Sequence, residues 1–207
     1  MEENIVFKYF ENLDGKQKEQ FRGMGALYRE WNKRINIISR KDIGNLYGHH
    51  ILHSLAIAKV AKFEPGTKIL DLGTGGGFPG IPLAVCFPDS IFTLCDSVGK
   101  KAKVAEAVSE GIGLENVTVV NKRAENIEEN FDYVVTRSVA AFDTLLPWIM
   151  GKWRKGIFAL KGGNVYSEIE PCIGRYGLDR KKISVFDISD WFEESYFLEK
   201  KIVFVGR

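Results

Sequence analysis

From Val6 to about Ala61 the apolar positions of the chain recur at helical spacing. Phe7, Phe10 and Leu13 follow it, as do Phe21, Met24, Leu27, Tyr28 and Trp31. Ile51, Leu55 and Ala58 predict a third helix. The turn Glu64-Pro65-Gly66-Thr67 then ends this rhythm, so residues 1–63 are expected to form an N-terminal helical extension and residues 64–207 the main domain, the two making one compact unit. After the turn, short apolar runs alternate with helical stretches. Lys68–Leu72, Ile91–Cys95, Val117–Asn121, Tyr133–Thr136 and Ile157–Leu160 read as strands, and Ile81–Cys86, Lys100–Ser109 and Thr144–Lys152 as helices. This alternation predicts an α/β fold with a doubly wound parallel sheet and right-handed crossovers. Lys182–Phe186 and Phe197–Val205 predict two further strands in an antiparallel hairpin.

Composition narrows the setting. The 207 residues are 45% hydrophobic and 27% charged, which fits a soluble globular chain able to build its own core. Near Met1 no basic start precedes an apolar stretch, and nowhere do about 18 apolar residues run together, so a cytoplasmic protein without membrane spans is expected. Cys86, Cys95 and Cys172 are scattered and odd in number, which predicts buried free thiols in a reducing compartment. A net charge of +2 leaves the partner open, because phosphate binding depends on where the cations lie.

The chemistry is concentrated after the first strand, in Asp71-Leu72-Gly73-Thr74-Gly75-Gly76-Gly77-Phe78-Pro79-Gly80. In an open parallel sheet ligands lie beyond the carboxyl ends of the strands, where the strand order reverses. Glycines there admit positive φ and let a ligand touch backbone. Pro79 and Pro82 fit only the first turn of a helix, so a helix N-terminus is expected to face the ligand. Gly75, Gly77 and Gly80 also satisfy G-x-G-x-x-G, which keeps a nicotinamide-dependent oxidoreductase open as a rival. Asp71 weighs against it, since a carboxylate there would face pyrophosphate but would suit the cationic groups of S-adenosylmethionine. Tyr196 and Lys200 have a reductase-like spacing but fall in a predicted strand, where a spacing of four does not reproduce helical geometry. Asp96 and Ser97, ending the second strand, are placed to accept from a ribose, with a helix cap as the alternative role of Asp96. Ala124 and Glu125, after the third strand, are candidates to border an adenine, with a solvated charge as the alternative for Glu125.

Further segments carry a family resemblance. Trp31-Asn32-Lys33 with Asn36, His50-Ile51-Leu52, Leu70-Asp-Leu-Gly-Thr-Gly with Gly77-Phe-Pro-Gly-Ile-Pro, Asp96-Ser97, Arg123-Ala-Glu125, Arg137-Ser-Val-Ala140 and Ala159-Leu-Lys-Gly162 run in order along most of the chain. In these the chain resembles the bacterial small-subunit (16S) ribosomal RNA guanine-N7 methyltransferases, the RsmG or glucose-inhibited division protein B family. The resemblance implies a Rossmann-like class I methyltransferase sheet and S-adenosylmethionine as cofactor. It also implies that Gly73, Phe78, Ala124, Glu125 and Arg137 line the cofactor site, to which the loop adds Gly75 and Gly77. The chain departs from the family where His49-His50-Ile51-Leu52-His53-Ser54 stands in place of Arg-His-Ile-x-Asp-Ser, which removes the acid at position 53.

His49 and His53 share a helical face, but no carboxylate or thiolate completes a metal site in the sequence, so none is expected. The resemblance favours His50 as an RNA or cofactor-site contact. Lys33, Arg34, Arg40 and Lys41 cluster after the second helix, and Lys100, Lys101, Lys103, Lys122 and Arg123 flank the cofactor rim. These are either solvated faces or a phosphate track, and the resemblance points to RNA contacts by Lys33, Arg34, Arg40, Lys100, Lys101 and Arg123. Arg180-Lys181-Lys182 and Lys200-Lys201 read as solvated. Trp31 reads as core and Phe78 as a cofactor contact. A monomer acting on 16S ribosomal RNA or the small subunit is expected, aligning its reactants and using no general base; a pure RNA-binding module is the remaining rival.

Overall fold

In the computed structural model, which describes residues 2–207, the chain builds one seven-stranded sheet. Its strands are β1 (Lys68–Leu72), β2 (Ile91–Cys95), β3 (Val117–Val120), β4 (Phe131–Arg137), β5 (Trp153–Gly162), β6 (Ile183–Asp187) and β7 (Lys200–Gly206). They lie in the order β3-β2-β1-β4-β5-β7-β6. The first five are parallel, and β7 runs antiparallel between β5 and β6. The expected doubly wound sheet and antiparallel tail are both present. Within the tail the later strand takes the inner place, because Ile202, Val203 and Val205 are buried whereas β6 is only partly covered along its length.

The N-terminal segment departs from its expected helices in two places. Helix α1 (Asn4–Tyr9) is capped by Phe10, leaving Leu13 beyond it, because a new helix begins at once. The Asp14 side chain accepts from the Gln17 backbone at 2.8 Å and the Gln17 side chain accepts from the Asp14 backbone at 2.9 Å. This reciprocal box starts α2 (Gly15–Arg34). Where Ile51, Leu55 and Ala58 predict one helix, the chain instead makes a 3-10 turn (Ile43–Asn45), a π turn (Leu46–Leu52), α3 (His53–Leu55) and another 3-10 turn (Ala56–Lys59). Consecutive residues of a regular helix point about 100° apart. The widened turn lets His49 and His50 bond the two oxygens of one carboxylate, Asp42.

Helices α4 (Gly80–Cys86), α5 (Gly99–Gly111) and α6 (Phe142–Ile149) appear where the pattern placed them, and α7 (Val165–Tyr176) is additional. Pro171 and Gly174 mask the period of α7, but Asn164 accepts from the Ser167 backbone at its start and Gly177 closes it in the left-handed conformation. Alternate residues of the strands feed two cores. Ile69, Phe92, Val135 and Phe158 face α4, α5 and the N-terminal residues Val6, Phe21, Met24 and Leu55. Leu70, Val134, Ile157 and Ala159 face α6 and α7. Gln17 and Gln20 add polar ties, donating to the Val85 carbonyl at 2.8 Å and the Ile112 carbonyl at 3.2 Å. Among the described residues no helix is long and apolar enough to cross a membrane.

Candidate active site

Strand register brings the dispersed motifs together. Leu72 lies opposite Cys95 on one side and Thr136 on the other, and Cys95 lies opposite Val120. The chain therefore leaves four neighbouring strands at one level. Strand order reverses between β1 and β4, so the loops after them diverge and leave a crevice. A cavity of 410 Å³ opens there, a size suited to a small molecule. Gly73, Gly75, Phe78, Asp96, Ser97, Ala124, Glu125 and Arg137 all line it.

Asp71 holds the glycine loop from below. Its Oδ2 accepts from the Thr74 hydroxyl at 2.6 Å and the Gly80 backbone at 2.7 Å. It is fully buried, which pushes its carboxyl up to about 7 against those two hydrogen bonds. Asp71 is thus a brace beneath the cavity and not part of its lining, because both of those ties, one to a side-chain hydroxyl and one to backbone, draw it into the loop itself. Among the described residues its Oδ1 has no hydrogen-bond partner. Gly75 has φ +58°, and a Cβ there would project into open space. Gly73 also has positive φ, and its missing Cβ makes room for Val139. Gly77 does not line the cavity: its positive φ and the closeness of Ile81 account for the glycine, so it shapes the entry to α4.

The N-terminal segment reaches the same loop. The buried Tyr28 hydroxyl donates to the Gly76 carbonyl at 2.9 Å, and its ring stacks on Phe78 with centroids 4.7 Å apart. Asn32 accepts from the backbones of Ile37 and Ile38 and donates to the Ile38 carbonyl, each at 2.9 Å. This fixes Ile37 beside Gly76 as a cavity wall. Neither role has a local signal in the sequence.

Asp96 Oδ2 accepts from the Gly75 backbone and Oδ1 from the Val98 backbone, both at 2.8 Å. Each oxygen keeps a further lone pair, so the carboxylate that orders the loop can still accept from a ligand hydroxyl. The N-cap of α5 is Val98, so Asp96 is not its cap. Lys152 Nζ donates to the carbonyls of Ala124 at 2.6 Å and Glu125 at 2.9 Å, pinning their 3-10 turn (Ala124–Asn126) at the rim. Trp148 on α6 completes the lining, although its sequence context reads only as helix.

Arg137 ends β4 between two aromatic systems. Its guanidinium lies 4.8 Å from the Phe78 ring centroid and donates from Nη2 to His50 Nδ1 at 3.2 Å. The Nε2 of His50 lies 2.8 Å from Asp42 Oδ2. Arginine only donates, so Nδ1 must be the acceptor and Nε2–H the donor to Asp42. Burial and the Arg137 charge hold His50 down to about 4, so the imidazole is neutral at pH 7. Burial pushes Asp42 up, but hydrogen bonds from His49, Asn45 and His50 prevail and hold it at about 2. The residue after Arg137, Ser138, has φ 52°, an uncommon non-glycine conformation, and it too lines the cavity.

The expected RNA contacts fall into two groups. Lys33, Arg34 and Arg40 line a groove of 570 Å³ with Arg29, Asn32 and Asn36. Asn36 stands next to the cavity residue Ile37, so groove and cavity adjoin along this loop. Lys101 and Arg123 border the cavity itself, and Lys100 is exposed on the first turn of α5 outside it. Trp31 is only partly buried and carries the Arg34 guanidinium 5.6 Å from its ring centroid. Tyr196 sits on a 3-10 turn, not in a strand, because β7 starts only at Lys200. Its hydroxyl donates to the His49 carbonyl at 3.2 Å, which ties it to the N-terminal segment. Cys95 and Cys172 are buried and Cys86 partly so, all three free. Among the described residues no three His, Cys, Asp or Glu side chains group to hold a metal.

The strand order, with its antiparallel β7, and the crevice beside β1 and β4 define a class I methyltransferase of Rossmann-like fold, dependent on S-adenosylmethionine. Solved structures share the fold. The chain is similar to magnesium protoporphyrin IX methyltransferase of Synechocystis PCC 6803 with bound SAH, at a TM-score of 0.63, 14% identity and 100% of both chains. It is also similar to M. jannaschii TYW2 in complex with AdoMet, at a TM-score of 0.59, 13% identity, 77% of this chain and 75% of that one. Sequence relatives are far nearer. The chain is 48% identical to ribosomal RNA small subunit methyltransferase G of Christiangramia forsetii, over 97% of this chain and 95% of the relative. It is 49% identical to the protein of that name from Porphyromonas gingivalis, over 97% and 92%. Residues 17–185 match the family described as rRNA small subunit methyltransferase G, and the chain belongs to that family.

Proposed function

We propose that the protein transfers the methyl group of S-adenosylmethionine to N7 of a guanine in small-subunit ribosomal RNA, acting as a cytoplasmic monomer. The observation that carries the cofactor part is the convergence of the Gly75 backbone, Asp96, Ala124, Glu125 and Arg137 on one cavity at the sheet's switch point. The residues fit this cofactor. Gly75 leaves a Cβ-sized opening, Asp96 keeps free lone pairs for ribose hydroxyls, and the orphan Asp71 Oδ1 is a buried acceptor beneath a cationic ligand. Arg137 suits the ligand's carboxylate, and Ala124, Glu125 and Trp148 suit its adenine.

Bound there, the cofactor supplies an activated methyl group on a sulfonium. The protein's own part is alignment. The glycine loop and Arg137 fix one reactant, and the adjoining groove with Lys33, Arg34 and Arg40 supplies cations for phosphates on the other. Guanine N7 offers an unprotonated lone pair and loses no proton on methylation, so no general base is required. His50 suits that chemistry, since both its nitrogens are engaged by Asp42 and Arg137.

Single-turnover methylation with saturating RNA at constant ionic strength tests this reading. Rates are expected to stay flat from about pH 6 to 8, since a general base would contribute about 10²- to 10⁴-fold and imprint its pKa. A limb in that window that disappears in Glu125→Gln would identify a proton acceptor and favour an exocyclic amine over N7. Charge reversal at Lys33 and Arg34 is expected to weaken RNA binding and reduce its salt dependence, by a slope of roughly 0.7–0.9 per lost phosphate contact, without altering cofactor affinity.

A further inference from the structure

We propose that Asp42 and His50 are positioning residues that set the guanidinium of Arg137 at the cofactor site, an inference that rests on Arg137 contacting the cofactor.

Arg137 is held without being neutralised. Among the described residues its guanidinium forms no ion pair with a carboxylate; its protein acceptors are the His49 carbonyl at 3.4 Å and His50 Nδ1 at 3.2 Å, and its face lies over Phe78. These acceptors are neutral, so the positive charge beside the cavity remains available to an anionic group of a ligand. The carboxylate on this path, Asp42, acts one step away, bonded to His50 and not to the guanidinium. It accepts from His50 Nε2, which fixes the imidazole in the one tautomer whose Nδ1 accepts from arginine. A direct Asp42–Arg137 pair would orient the guanidinium but cancel its charge. The imidazole between them passes on the orientation and keeps the charges apart.

Asp42 is itself held. His49 lies 2.7 Å from its other oxygen, and the His49 ring stacks on Tyr196 with centroids 3.8 Å apart. Asn45 donates to the same carboxylate at 3.1 Å. The π turn that carries both histidines thus presents one rigid acceptor to the end of β4. Phe78 closes the other side, backed by Tyr28. Arg137 is thereby clamped between the N-terminal segment and the glycine loop.

The test is calorimetric titration of the full-length protein with S-adenosylhomocysteine, which retains the carboxylate, beside steady-state kinetics in S-adenosylmethionine. His50→Ala and Asp42→Ala should each weaken binding about tenfold, the scale of one hydrogen bond to a charged group. KM for the cofactor should rise by a similar factor, with a smaller change in kcat. His50→Asn keeps an acceptor near the Nδ1 position and should stay within about threefold of the parent, whereas His50→Gln, which reaches Asp42 but lacks that acceptor, should match His50→Ala. The double variant Arg137→Ala/His50→Ala should bind no more weakly than Arg137→Ala alone. If Asp42→Ala does not fold, the Asn and Gln variants at His50 carry the test. Parent-like affinity in His50→Gln and His50→Ala, with Arg137→Ala impaired, would overturn the positioning role. So would a further tenfold loss when His50→Ala is added to Arg137→Ala. An unimpaired Arg137→Ala would instead remove Arg137 from the cofactor site, and the proposal with it.

Discussion

The sheet's switch point and the N-terminal segment build the same cavity by different means. On the sheet side, most contributing residues end a strand or lie in the loop that follows one, and parallel register brings those loops to one level. On the N-terminal side, Tyr28, Ile37, Asp42 and His50 act through irregular turns and single side-chain contacts across long sequence separations. The first arrangement is fixed by backbone geometry and tolerates change poorly. The second is fixed by discrete hydrogen bonds and should yield in graded steps.

Substitution in the glycine loop gives the largest expected effect. Gly75→Val forces a β-branched residue toward φ +58° and fills open space above the loop. Cofactor affinity should fall by about 100-fold or more while circular dichroism stays native-like. Unchanged affinity would show that the loop does not hold the ligand. Arg137→Ala, where the two regions meet, should cost roughly 10- to 100-fold in affinity, as expected for a lost charged hydrogen bond. Titration of the variant decides whether Arg137 binds the ligand or only packs against Phe78.

Tyr28→Phe isolates the link between the regions. It removes the donor to the buried Gly76 carbonyl and should cost about 1–2 kcal/mol in denaturant unfolding, with only a few-fold change in affinity. A large affinity loss without a stability loss would mean that α2 shapes the site more than it supports the fold.

A separate readout of the N-terminal side is the pH dependence of stability. His50 is lowered from 6.5 to about 4 by burial and by Arg137, so as pH falls below 6.5 the unfolded chain takes up the proton first. Its contribution is complete above 6.5 and is lost between 6.5 and 4. Asp42, lowered from 3.8 to about 2, contributes fully above 3.8 and loses its share between 3.8 and 2. Unfolding curves at pH 7, 5.5 and 4.5 should converge for the parent and His50→Asn as pH falls. Parallel curves would show that His50 is not buried in its neutral form.

Legibility in the sequence follows the same division. The glycine loop, Asp96, Ala124 and Arg137 stand next to strand ends that periodicity exposes, so pattern and resemblance together reach them. Trp148, Ile37 and Asp42 lie in segments whose local pattern reads as helix or loop, and only tertiary packing brings them to the cavity. The π turn hides because Ile51, Leu55 and Ala58 retain helical spacing while the backbone between Leu46 and Leu52 widens. Helix α7 hides behind Pro171, although its caps at Asn164 and Gly177 are visible once sought. Asp71 illustrates the reverse case: its place in the motif is plain, but its role as a buried brace depends on Thr74 and Gly80 folding back onto it.

The most direct test of the whole account is the identity of the methylated atom. Purified protein, methyl-labelled S-adenosylmethionine and small subunits from cells lacking the enzyme should yield labelled N7-methylguanosine on complete digestion. Reduction and aniline cleavage should cut the small-subunit RNA at a single position, and neither signal should appear with Gly75→Val. Label on an exocyclic amine, on ribose or on large-subunit RNA, or no transfer at all, would contradict it.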